Sequence, residues 1–83
     1  MNERIPPHNL EAEQAVIGAI LIDENSFSTA AERLEPGDFY RAGHQHIFEA
    51  MFTLFERGEP IDLLTVTTIL IDSDKMAIVG DHT

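Results

Sequence analysis

Cysteine and tryptophan are both absent from this chain of 83 residues, and lysine occurs only once. Without cysteine there is no disulfide framework and no cysteine-ligated zinc site, so the fold has to rest on a hydrophobic core or on a partner that completes it. The length allows one small domain. Its stability is expected to be modest, because a chain of this size buries only about 60% of the surface that it exposes when unfolded.

Long hydrophobic runs are missing as well. The longest strongly apolar stretches are residues 15–22 and 69–71, whereas a membrane-spanning helix needs about 20 apolar residues. The first residues lead into Pro6-Pro7 rather than into an apolar segment, so no secretory signal is expected. These features predict a soluble, cytoplasmic protein that does not contact a membrane.

Basic residues are scarce. The chain contains fifteen acidic and five basic residues, which gives a net charge of −10. The arginines are scattered at positions 4, 33, 41 and 57, whereas proteins that bind nucleic acids cluster Lys and Arg against the phosphates. Direct binding to nucleic acid is therefore not expected. We interpret the acidic residues as solvent-exposed side chains on the surfaces of helices. The alternative is that they attract a basic surface of a partner protein.

Residue patterns that carry catalysis are also lacking. No glycine precedes a lysine, so the phosphate-binding loop that ends in Gly-Lys-Ser/Thr is absent. His44 and His46 lie two positions apart and would point to opposite sides of a helix, which disfavours a shared metal ion. The sequence predicts no catalytic residue, no cofactor and no metal, with His44 as a core or boundary residue. A small metal- or ligand-dependent enzyme that uses the two histidines stays the alternative.

What the sequence does contain is helical periodicity. Apolar spacing predicts a first helix over residues 10–22, after an extended arm over residues 1–9. Asn9 is expected as its N-cap, and Glu11 and Glu13 are expected in the first turn, where carboxylates meet the positive end of the helix dipole. Gly18 costs the helix about 1 kcal/mol relative to alanine, which we attribute to close approach by a second helix.

Two further helices are predicted in the middle of the chain. The second is short, and Pro36-Gly37 ends it; its apolar stripe consists of Phe27, Ala30, Ala31 and Leu34. The third covers about residues 42–57, and its apolar face spans nearly half of the circumference, which predicts burial on two sides. Gly58 is expected to end it in the left-handed conformation.

The segment that follows is ambiguous. Residues 63–71 are rich in β-branched side chains and could form a strand. A helix is favoured because Asp62 is a good N-cap, the apolar spacing is helical, and a lone strand would have no partner. The predicted fold is therefore all-α, a small orthogonal bundle of about four helices over residues 10–72. Residues 73–83 are predicted to form a divergent tail, and the sequence leaves open whether this tail packs against the bundle.

Three blocks of this sequence resemble the N-terminal domain of the DnaB family of bacterial replicative helicases, in the same order and spacing. They are residues 4–20, the run Asp38-Phe39-Tyr40-Arg41 with His44 and Ile47-Phe48, and residues 57–66. The resemblance implies helix for residues 62–72. After Asp72 it thins, so it covers the globular head of that domain and stops before the family's helical hairpin and ATPase domain.

The resemblance also implies a function. In the DnaB family this region belongs to a collar on the hexameric ring, where primase docks and helicase loaders engage. We therefore expect a non-catalytic module that binds the replicative helicase, primase or loader, either as a helicase fragment or as a stand-alone decoy or regulator. Self-association through the heads is a further expectation. The alternative is a truncated, non-functional remnant of a replicative helicase gene.

Aromatic side chains are the candidate interface residues, because partner surfaces concentrate aromatics amid polar residues. The candidates are Phe27, Tyr40, Phe52 and Phe55. A core position is the alternative for the phenylalanines of the third helix.

Overall fold

The structure, a computed structural model, describes residues 9–80; residues 1–8 of the predicted arm and 81–83 of the predicted tail lie outside the described part. The elements are α1 (Leu10–Ile22), α2 (Ser26–Ala31), a 3₁₀ turn (Pro36–Asp38), α3 (Ala42–Arg57), α4 (Leu63–Asp72) and α5 (Met76–Val79). Within residues 9–80 there are five α-helices and no strand. The predicted all-α fold is confirmed, with one helix more than the approximate four.

Local capping explains where the predicted helices begin and end. The Asn9 side chain accepts a hydrogen bond from the backbone N–H of Ala12 at 3.0 Å. At the start of α4 the Asp62 carboxylate accepts from Thr65 N–H, and the Thr65 hydroxyl accepts from Asp62 N–H, both at 2.9 Å. This reciprocal capping box satisfies two N–H groups that a helix start leaves open, and it accounts for helix in the ambiguous segment. Gly58 ends α3 at φ 69°, as predicted.

Helix α3 is the centre of the bundle. It packs against α1, α4, α5 and the 3₁₀ turn, which agrees with the predicted burial on two sides. Phe48 is completely buried, and its ring centroid lies 5.3 Å from that of Phe27 and 4.9 Å from that of Phe39. Aromatic pairs at such separations add to the area that they bury. Helix α2 and the residue after the 3₁₀ turn therefore supply the aromatic rings that close the core around α3.

The close helix approach lies at a different glycine from the predicted one. A Cβ added at Gly18 would meet no atom within 4 Å, so the prediction for Gly18 is wrong. At Gly43 an added Cβ would lie 3.2 Å from the Cα of Val79 and 3.4 Å from the carbonyl oxygen of Ile78. The first turn of α3 thus meets the backbone of α5. Helix α5 lies within the segment predicted as a tail, and its Met76 and Val79 pack against the core.

Candidate protein-interaction surface

A buried carboxylate organises one end of the bundle. Glu13 of α1 has no exposed surface. Its Oε2 accepts a hydrogen bond from the backbone N–H of Tyr40 at 2.6 Å, and Oε1 accepts from that of Arg41 at 3.4 Å. His44 Nδ1 lies 2.7 Å from Oε1, and the carboxylate selects the tautomer that carries its N–H at Nδ1. The carboxylate therefore ties the two residues before α3, and the His44 ring in its first turn, to the neighbouring helix α1.

The predicted position of Glu13 in the first turn of α1 is confirmed. The sequence did not predict that its side chain is buried. A signal was available, because Glu13 precedes the buried Ile17 by four residues and Ile20 by seven, so all three share one helix face. The predicted core or boundary position of His44 is confirmed, because its side chain is buried. This network joins α1 to α3 away from solvent, which fits a structural role.

The two histidines have separate partners. His44 contacts Glu13, and His46 Nδ1 contacts the Glu49 carboxylate at 3.1 Å on the exposed side of α3. Among residues 9–80, no three His, Asp or Glu side chains converge in a way that could hold a metal ion. In the same described range no helix has the length and apolar character needed to span a bilayer.

The four predicted interface aromatics fall into two places. The Phe27 ring is completely buried in the core, so it offers no surface to a partner. Phe52 is partly buried, with its ring centroid 5.0 Å from that of Phe27. Phe55 completes this aromatic cluster, at 5.3 Å from Phe27, yet 51% of its surface is exposed. Tyr40 is 57% exposed and lies before the opposite end of α3, about 20 Å away along the helix at 1.5 Å per residue.

Within residues 9–80, α4 exposes more large apolar side chains than any other helix, although the most exposed single one is Ile22 at the end of α1. The sequence-based prediction did not include α4. Leu63, Leu64 and Ile71 are 69%, 75% and 60% exposed. Val66 and Leu70 of the same helix are buried. Residues 63–71 contain no charged side chain and only three polar ones, Thr65, Thr67 and Thr68, while the domain covers only one side of the helix. That lack of charge was the available signal, since the solvent-facing side of a surface helix is normally charged or polar.

Two of the grooves in the described part of the chain lie between different pairs of helices. One runs between α3 and α4, has a volume of about 240 Å³ and includes Leu64, Thr68 and Asp72 in its lining. The other runs between α1 and α2 and has a volume of about 360 Å³. Its lining is mostly apolar and includes Ala19 of α1 and Ala30 of α2. Of these two surfaces, the α4 surface exposes the larger side chains.

The family model of the DnaB-like helicase N-terminal domain matches residues 5–83. The chain belongs to this family. The match continues past Asp72, where the sequence blocks thin out, and it takes in all of α5. This part of a DnaB-type helicase is the N-terminal domain, which is not the ATPase motor.

Curated relatives of this DnaB-like domain are replicative helicases. The chain is 51% identical over 80 residues to the replicative DNA helicase DnaC of Bacillus subtilis, which covers 96% of this chain and 18% of that protein. It is 52% identical over 79 residues to the replicative DNA helicase DnaB of Geobacillus stearothermophilus, covering 95% of this chain and 17% of that protein. The chain therefore spans less than a fifth of the length of these relatives.

A solved structure shares the fold. The crystal structure of the N-terminal domain of DnaB helicase from Mycobacterium tuberculosis superposes with a TM-score of 0.85 at 41% sequence identity. The superposition covers 92% of this chain and 53% of that chain. The family and the helical fold predicted from the sequence are both confirmed.

Proposed function

We propose that this chain is a non-catalytic protein-interaction module of cytoplasmic DNA replication, which engages the replicative helicase, the primase or the helicase loader. Membership of the DnaB-like N-terminal domain family supports the replication context. The match to relatives named as replicative helicases supports it further. The chain acts in this way either as part of a helicase or as a separate regulator that competes for the same partners.

The outward face of α4 is the observation on which this proposal rests. Three large apolar side chains, Leu63, Leu64 and Ile71, are mostly exposed on a helix of ten residues. Contiguous apolar exposure of this kind in a small, highly charged protein is typical of an interaction site. Tyr40 and Phe55 are the proposed additional contacts, because they are half exposed, whereas Phe27 serves the core.

A capture experiment tests the proposal. The tagged 83-residue chain is incubated with lysate of its source bacterium, and bound proteins are identified by mass spectrometry. A matched bait carries Leu64→Ser with Ile71→Ser, which removes apolar contacts at exposed positions and leaves the core intact. We expect the helicase, the primase or the loader to be enriched on the wild-type bait over the variant.

The opposite result has a clear meaning. If a bait with a normal helical circular dichroism spectrum enriches none of these three proteins, the proposal is wrong and the remnant interpretation is favoured. Competition then separates the two forms of a positive result. A regulator displaces primase or loader from the intact helicase when the free chain is added in excess, whereas a passive helicase segment does not.

A further inference from the structure

The exposed side of α4 forms a continuous surface without charge. At 100° per residue, positions 63, 67, 71, 64 and 68 follow one another over an arc of about 140°. They carry only leucine, isoleucine and threonine. Ten residues make this helix about 15 Å long, which matches three turns of a second helix laid beside it.

The C-terminal end of α4 is acidic where a helix favours cations. Asp72 is its last residue, and Asp74 follows in the left-handed conformation at φ 63°. The last turn contains no basic residue. Among residues 9–80 neither carboxylate forms an ion pair. Both negative charges add to the negative end of the helix dipole, so this end of the apolar face attracts cationic groups.

We propose that the outward face of α4 binds an amphipathic helix of a partner protein whose apolar stripe is flanked by lysine and arginine. Its apolar side chains pack on Leu64 and Ile71, and its cationic groups pair with Asp72 and Asp74. The net charge of −10 speeds the approach of such a basic segment. This inference rests on the proposed function, because it names the chemistry of the partner that the module engages.

Other occupants fit this surface less well. A second copy of the chain would bring an equal charge of −10 and the same pair of aspartates against the first. The groove between α1 and α2 fits a basic helix less well, because its lining contains no carboxylate, whereas the lining of the groove beside α4 contains Glu59 and Asp72 together with Arg57. Charge complementarity therefore places a basic helix on α4.

Two designed peptides test whether the α4 surface prefers a basic helix. Both are 18-residue helices with the same stripe of leucines; one is flanked by lysine and arginine, the other by glutamate. Binding to the full isotope-labelled chain is followed by amide chemical shifts in 150 mM NaCl. We expect the basic peptide to shift residues of α4 and to bind at least tenfold more tightly than the acidic one. Equal affinities, or shifts centred on the groove between α1 and α2, would overturn the inference.

Matched variants separate a specific site from general attraction. Thr68 on α4 and Thr29 on α2 are both exposed helix residues, and arginine at either one changes the net charge from −10 to −9. Thr68→Arg should weaken binding of the basic peptide at least tenfold, while Thr29→Arg leaves it within about twofold. Equal weakening by both would show attraction without a site and contradict the inference. A larger effect of Thr29→Arg would assign the peptide to the other groove and contradict it as well.

The same pair distinguishes this inference from the proposed function. If purified primase, loader or helicase binds the wild-type chain and Thr68→Arg equally, the α4 inference fails while the proposed function stands. If none of the three binds, yet the basic peptide still occupies α4 selectively, the proposed function fails and the chemistry of the surface stands. Two double variants test the contacts: Leu64→Ser with Ile71→Ser, and Asp72→Asn with Asp74→Asn. Each should reduce the affinity for the basic peptide several-fold. If either double variant binds the peptide as tightly as the wild-type chain, the inference is overturned.

Discussion

Glu13 shows how a single carboxylate orders an acidic chain. Fourteen of the fifteen acidic residues either are at least partly exposed or lie outside the described range, whereas Glu13 has no exposed surface. Burying a carboxylate is costly unless its oxygens are hydrogen-bonded. Two backbone N–H groups and the His44 ring meet that requirement here. The same contacts hold the segment before α3 in place, and with it the exposed ring of Tyr40.

Replacing Glu13 should therefore destabilise the domain strongly. Glu13→Ala leaves buried donors without an acceptor, and we expect the free energy of unfolding to fall by about 3 kcal/mol. Urea denaturation followed by circular dichroism measures the loss. Glu11→Ala is the control, because Glu11 is exposed in the same turn and should change stability by less than about 0.5 kcal/mol. Similar small losses for both variants would contradict a structural role for the network.

The two helical glycines predict opposite effects of the same substitution. Gly43→Ala places a Cβ 3.2 Å from the Val79 Cα, a backbone atom that cannot move aside cheaply. We expect a net loss of about 1 kcal/mol, with faster amide exchange in α5 as it loosens from α3. Gly18→Ala meets open space and should stabilise the domain by about 0.5–1 kcal/mol. If Gly43→Ala is as stable as Gly18→Ala, the close approach of α5 to α3 is refuted.

At the scale of the elements, local signals explain what could be predicted. Asn9 determines where α1 begins, Gly58 where α3 ends and Asp62 where α4 begins. These capping roles depend on nearby residues alone. The hydrogen bonds that accompany the burial of Glu13 could not be predicted from nearby residues, because the partners lie 27 to 31 positions away in sequence. The exposed side of α4 was missed for a related reason: when apolar side chains lie on more than one side of a helix, periodicity does not show which side the domain covers.

Helix α4 depends on its N-terminal cap. Asp62→Ala removes the acceptor of the Thr65 N–H and should cost about 1 kcal/mol, with fraying of the first turn visible in amide exchange. Asp72→Ala at the other end is the matched control. It removes a negative charge from the negative helix terminus and should be neutral or stabilising by a few tenths of a kcal/mol. Equal destabilisation by both variants would show that the cap does not determine this helix.

For the whole molecule, charge opposes contact between copies. A net charge of −10 repels a second copy. At 0.15 M ionic strength, salt largely screens this repulsion between charges more than about 8 Å apart. If the heads associate through the half-exposed Tyr40 and Phe55, the association should strengthen as salt increases. Sedimentation velocity from 20 to 500 mM NaCl measures this. We expect Phe55→Ser to weaken it, whereas a single monomeric species at every salt concentration would contradict the predicted self-association.

We propose that this DnaB-like domain works by binding a replication protein. Titration calorimetry tests it most directly, with the folded chain added in turn to purified helicase, primase and loader of the source bacterium. We predict saturable binding to at least one of them with a dissociation constant of about 10 µM or tighter, equivalent to about −7 kcal/mol. Absence of saturable binding to all three, by a chain that unfolds cooperatively, would contradict the account.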